Sequence, residues 1–139
     1  MVGRPDTSWR RDQPGLGVWE HRGKVAIVGI GISPTARRWD GTPETSVGAW
    51  SILAMRRALE DAGVSPENID GLVLDPVTTT GAYWPEGKEV PMDIVKSFTP
   101  TSDPLDGIAK LSAEWILKNM PELSNVSFTM NGPGCMSRA

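Results

Sequence analysis

The chain has 139 residues, of which 39% are apolar and 22% charged, and its formal net charge is −3. These values are typical of one soluble globular domain, and the acidic balance leaves no basic face for the phosphates of a nucleic acid. No apolar run approaches the roughly 20 residues of a membrane span and no signal core follows Met1, so we expect a cytoplasmic protein without a membrane span.

The residue types that most often bind transition metals are scarce. The chain contains one cysteine, Cys135, and one histidine, His21. A lone cysteine excludes an internal disulfide, and the two residues together cannot form a cysteine and histidine zinc cage. We therefore expect no metal site, and a free thiol that is either buried and inert or reactive.

Residues 1–23 show neither helical nor strand periodicity and contain several prolines and glycines. This pattern predicts an extended arm at the surface. In a second interpretation the arm crosses to a partner subunit, where Trp9 and Trp19 would be the anchors. His21 is expected to be an exposed residue of this arm.

The next segment, 24–32, is an almost continuous run of apolar, β-branched residues. Such a run predicts a strand that is buried on both faces of a parallel sheet. A helix should follow, capped by Thr45 or Ser46 and ending at Ala62, with Gly63 in the left-handed position just beyond it.

A second strand is predicted over 69–74, and a third over 125–130. The long stretch 75–103 between them reads as a loop with one or two helical turns at 92–98. A strand, helix, strand unit of this length implies a right-handed crossover, so the second strand should join the sheet in parallel.

A second helix should begin at Pro104, with Ser102 or Asp103 as its cap, and end before Pro121. The predicted order is therefore β-α-β-α-β in an α/β fold with a mostly parallel sheet. In such sheets ligands bind beyond the carboxyl ends of the strands.

Two glycines at the end of the first predicted strand, Gly29 and Gly31, suggest a dinucleotide-binding turn. The third glycine of that fingerprint is replaced by Pro34, and the acidic residue expected about 20 residues later is missing. We therefore interpret the glycines as places where the backbone turns or a neighbour approaches closely.

Cys135 follows the third predicted strand after a Gly132-Pro133-Gly134 turn. A cysteine that opens a helix there would meet free backbone N–H groups and a partial positive charge, which stabilise a thiolate and a developing oxyanion. Placement at a strand carboxyl end favours a reactive thiol over an inert one. His21 precedes the first strand, on the order of 25 Å away at the opposite end of the sheet, so the proton acceptor is expected outside these 139 residues.

These residues resemble the amino-terminal half of the thiolase superfamily, and most closely the sterol-carrier-protein-type or lipid-transfer-protein thiolases. The resemblance covers residues 23–139, about a third of a full thiolase. The segments that carry it are VAIVGIG (25–31), MRRALEDAGV (55–64), IDGLV (69–73) and the glycine-preceded Cys135.

The resemblance implies that 24–139 is the truncated amino-terminal portion of a three-layer thiolase-like fold. It implies that Cys135 takes the acyl group from an acyl-coenzyme A, which is a substrate and not a permanently bound cofactor. It further implies a homodimer that acts in lipid or sterol side-chain metabolism, with the acid/base residues and most of the coenzyme A pocket in a carboxyl-terminal half. The chain alone should then be inactive.

Two residues depart from the family pattern, Met136 beside the nucleophile and Arg138 where a glycine is common. Members of this branch that lack the cysteine are aldolases acting on steroid-coenzyme A side chains, usually beside a small acyl-coenzyme-A-binding partner protein. An aldolase or lyase is therefore one alternative to the acyltransferase, and a non-catalytic acyl-binding or assembly subunit is another.

Overall fold

The computed structural model describes residues 24–37, 39–74, 89–90 and 92–131. The predicted arm 1–23 and residues 75–88 of the predicted loop lie outside the described residues. The described elements are helices α1 (Val47–Ala62), α2 (Met92–Lys96) and α3 (Ala113–Asn119), strands β1 (Gly71–Leu74) and β2 (Phe128–Asn131), and 3-10 turns at Pro43–Thr45 and Pro66–Asn68. The described chain is thus an α/β arrangement with a small parallel sheet.

Helix α1 has the bounds that its local sequence predicts. Of the two candidate caps, Ser46 is the one that acts, because its hydroxyl accepts a hydrogen bond from the amide of Ala49. The helix ends at Gly63, whose φ of 62° is a left-handed conformation that side chains with a Cβ adopt at a cost.

The two strands pair in parallel, in a register that runs from Gly71 opposite Phe128 to Leu74 opposite Asn131. The predicted parallel sheet is confirmed for the second and third strands, although each is shorter than its apolar run. The predicted pairing of the second strand with the first is not seen in the described residues. The ring of Phe128 lies where a Cβ on Gly71 would be, so the glycine makes room for its cross-strand neighbour.

The prediction of a strand at 24–32 was wrong: within the described residues this segment forms no strand and lies against α1. Gly29 and Gly31 abut the backbone of α1 so closely that a Cβ on either would collide with it. The amide of Ile30 donates to Asp61 Oδ2 (2.9 Å), and Arg57 Nη1 donates to the carbonyl of Ile32 (2.5 Å). These backbone groups therefore bond to side chains of α1 in place of a neighbouring strand.

The missing strand pairing leaves apolar side chains of 24–32 in contact with solvent. The exposed fraction is 66% at Val25, 88% at Ile27 and 66% at Ile30. The sequence pattern predicts that these side chains are buried, but in the described residues β1 pairs with β2 alone and covers none of them.

The second predicted helix begins nine residues later than expected, at Ala113, although it ends before Pro121 as predicted. The segment after Pro104 forms turns instead: Asp103 Oδ1 accepts from the amide of Leu105 (2.9 Å), and Gly107 has a φ of 83°. A left-handed residue cannot continue a right-handed helix. Ser112, not Ser102 or Asp103, is the cap, since its hydroxyl accepts from the amide of Trp115. Helix α2 confirms the helical turns predicted at 92–98.

The core lies on one face of the sheet, between β1 and the helices α1 and α3. Trp115, 1% exposed, packs against Phe98 with ring centroids 5.1 Å apart, and its indole leaves no room for a Cβ on Gly48 or Gly107. The buried cluster consists of Ile52, Leu72, Leu74, Trp115, Ile116, Met120 and Leu123. The opposite face of the sheet, with Val73, Phe128 and Met130, is more than half exposed.

Candidate functional site

The candidate site is the edge of the sheet at which both strands end. Leu74 and Asn131 are register partners and are the last residues of β1 and β2, so the two carboxyl ends lie side by side. Cys135 comes four residues after Asn131 in the sequence.

Neither Cys135 nor the Gly132-Pro133-Gly134 turn is among the described residues, and His21 is not among them either. The predicted helix N-terminus at Cys135 and the predicted separation of Cys135 from His21 therefore stay predictions. The described residues include the two paired strands, β1 and β2, that precede Cys135 in the chain.

This pair of strands is held at the amino end of β2 and along β1. Before the strand, the amides of Ser127 and Phe128 both donate to the carbonyl of Asp70, at 2.8 and 3.3 Å. Along the pair, Leu72 and Leu74 of β1 are buried in the core. The pair of strands that precedes Cys135 in the chain is thus held by backbone hydrogen bonds and by core packing.

Three described carboxyl groups have a lowered pKa. Hydrogen bonds from the hydroxyl of Thr45 and from Thr42 lower the pKa of Asp40, and the Ser65 hydroxyl lowers that of Glu67. For Glu122 the main cause of the lowered pKa is its own backbone amide, with a smaller contribution from Arg56.

These three carboxyl groups are poor candidates for the proton acceptor of Cys135. A general base works best with a pKa near the operating pH, whereas a lowered pKa makes a carboxylate a weaker base. Glu67 and Glu122 also precede β1 and β2, at the amino ends of the strands and away from the edge that Cys135 follows.

A second feature is an apolar groove of about 280 Å³ between segment 24–32, α1 and β1. It is lined by Val28, Gly29, Met55, Ala58, Leu59, Ala62, Val64, Ile69, Leu72 and Leu123. None of these side chains is ionisable or nucleophilic, so the groove can hold an apolar group but cannot catalyse a reaction.

Sequence reasoning missed the groove because it treated 24–32 as a strand already packed in the sheet. A usable signal was present in the small residues. Ala54, Ala58 and Ala62 recur every four residues along one face of α1, and Gly29 and Gly31 pack on that face. Because these residues are small, the backbone of segment 24–32 lies close to α1, and space remains beside the segment.

A buried carboxylate, Asp106, also escaped the sequence reasoning. Its side chain accepts hydrogen bonds from Thr101 Oγ1 (2.9 Å), from the amide of Ser112 (2.8 Å) and from the Ser112 hydroxyl. Each carboxylate oxygen therefore has a donor from the same chain. Asp106 holds the loop against the start of α3 and is a structural residue.

None of the described helices is long and apolar enough to cross a bilayer, and the described residues contain no cluster of three or more potential metal ligands. Comparisons of the chain with family models, with curated proteins and with solved structures find no match. The resemblance to thiolases therefore stays a prediction from the sequence.

Proposed function

We propose that this chain is the amino-terminal segment of a thiolase-like acyltransferase, with Cys135 as the acyl-accepting nucleophile. The observation that carries the proposal is the parallel pairing of β1 with β2, which ends four residues before Cys135. This pairing favours the proposal because a nucleophile at the carboxyl end of a parallel strand stands where ligands of α/β sheets bind.

In the proposed reaction the Cys135 thiolate attacks the 3-keto carbonyl of a 3-ketoacyl-coenzyme A. A carbon–sulfur bond forms and the bond between the second and third acyl carbons breaks. Its electron pair leaves with acetyl- or propionyl-coenzyme A, which is protonated by an acid. Coenzyme A then attacks the cysteine thioester. The acyl group leaves on coenzyme A, and the thiol of Cys135 is regenerated.

The remaining parts of the proposal follow from the same resemblance. Coenzyme A and its acyl esters are substrates, the acid/base groups come from outside these 139 residues, and the assembly is a cytoplasmic homodimer. A small acyl-coenzyme-A-binding partner protein belongs to the alternative aldolase function.

The nucleophile is tested by treating the folded chain with a limiting concentration of iodoacetamide at neutral pH and measuring the intact mass. Because Cys135 is the only cysteine, a single adduct reports on this residue alone. We expect labelling faster than that of glutathione, whose thiol has an ordinary pKa, since a lowered pKa raises the thiolate fraction. The chain with Cys135→Ser is the control and should gain no mass.

Labelling that occurs only after unfolding in urea would contradict the assignment of Cys135 as the nucleophile.

Incubation with acetoacetyl-coenzyme A and free coenzyme A tests whether the base is missing from the chain. We expect at most one acyl group per chain and no turnover, because the resemblance implies that the acid/base partner of Cys135 lies outside these 139 residues. Sustained turnover by these 139 residues would show that the base lies inside them.

An aldolase acting on steroid-coenzyme A side chains is the second candidate. Met136 and Arg138 favour it, since both are bulkier than the residues that thiolases commonly have after the nucleophile. The two functions are distinguished by Cys135→Ser in the complete assembly. An aldolase should keep its activity in this variant, whereas a thiolase should lose it.

A further inference from the structure

We draw no further inference here: the strongest candidate, the apolar groove between segment 24–32, helix α1 and strand β1, is lined by apolar side chains alone, and nothing in the structure shows what covers it.

Discussion

Asp106 is a buried carboxylate that is surrounded by hydrogen-bond donors. It is 8% exposed and faces hydroxyl and amide donors, so its acceptor oxygens are matched by N–H and O–H groups. Because these donors are partly buried as well, removing the acceptor would leave them without a partner in a poorly hydrated position. The cost of an unmade hydrogen bond in such a position exceeds the net gain of making one.

Asp106→Asn tests this role while preserving the shape of the side chain. One carboxylate oxygen becomes an NH2 group. It faces either the amide of Ser112, which can only donate, or the hydroxyls of Thr101 and Ser112, which must turn their own protons away to accept from it. We therefore expect the free energy of unfolding to fall by about 1–3 kcal/mol. Urea denaturation followed by circular dichroism measures the change. Asp93→Asn is the matched control at an exposed position of α2 and should shift the value by less than about 0.5 kcal/mol. Equal small effects of the two variants would show that Asp106 is not a structural acceptor.

At the scale of the elements, α1 is defined by its two ends. Ser46 is 1% exposed, and its hydroxyl both accepts from the amide of Ala49 (3.2 Å) and donates to the carbonyl of Pro43 (2.8 Å). It therefore joins the 3-10 turn Pro43–Thr45 to the first turn of the helix. Loss of this hydroxyl would leave a helix N–H and a turn carbonyl without their partner.

Ser46→Ala should lower the free energy of unfolding by about 0.5–2 kcal/mol, the range found for lost N-caps. Ser51→Ala is the control in the same helix, and it should be neutral or slightly stabilising because alanine is the better helix former. Both values come from urea titration of the helical signal. If Ser46→Ala were as mild as Ser51→Ala, the cap would contribute nothing to stability.

Elements that depend on nearby residues could be predicted from the sequence. The ends of α1 follow from a serine and a glycine that act within one helical turn, and α3 ends where Pro121 removes an amide donor. The start of α3 could not be predicted, since it depends on contacts from Asp106 and on the left-handed conformation of Gly107.

The absence of a strand at 24–32 could not be predicted either, but for a different reason. Its apolar run reports what the side chains favour, but a strand also needs a neighbour for its backbone hydrogen bonds. In the described residues the amide of Ile30 bonds to Asp61 on α1. The parallel alignment of the second and third predicted strands was predictable, whereas the absence of a strand at 24–32 and the groove beside that segment were not.

At the scale of the whole molecule, the lowered pKa values of Asp40, Glu67 and Glu122 set the sign of the contribution that these three groups make to the pH dependence of stability. Their ordinary values are 3.8 for the aspartate and 4.5 for the two glutamates. A group whose pKa is lower in the folded state contributes stability that is complete above its ordinary pKa and is lost as the pH falls through the folded pKa. Asp40 and Glu67 are exposed to solvent and Glu122 is half-buried, so the effect of each is small.

We therefore expect the melting temperature to fall as the pH is lowered from 6 to below about 4, where these carboxyl groups take up protons. Calorimetry at a series of pH values measures the slope. Replacing Asp40 by Asn and Glu67 by Gln together should flatten it. A melting temperature that rises with acidification would contradict the assigned direction of the shifts.

The register of the sheet has a consequence for the order of folding. Gly71 and Phe128 are paired although 57 positions separate them, and closing a loop of that length costs about 3.6 kcal/mol of chain entropy before any strand hydrogen bond is made. Helix α1 needs only contacts within four residues, so it should gain protection from hydrogen exchange before either strand during refolding. Strand amides protected as early as those of α1 would contradict this order. The paired carboxyl ends of β1 and β2, which precede Cys135 in the chain, would then be among the last of the described parts to form.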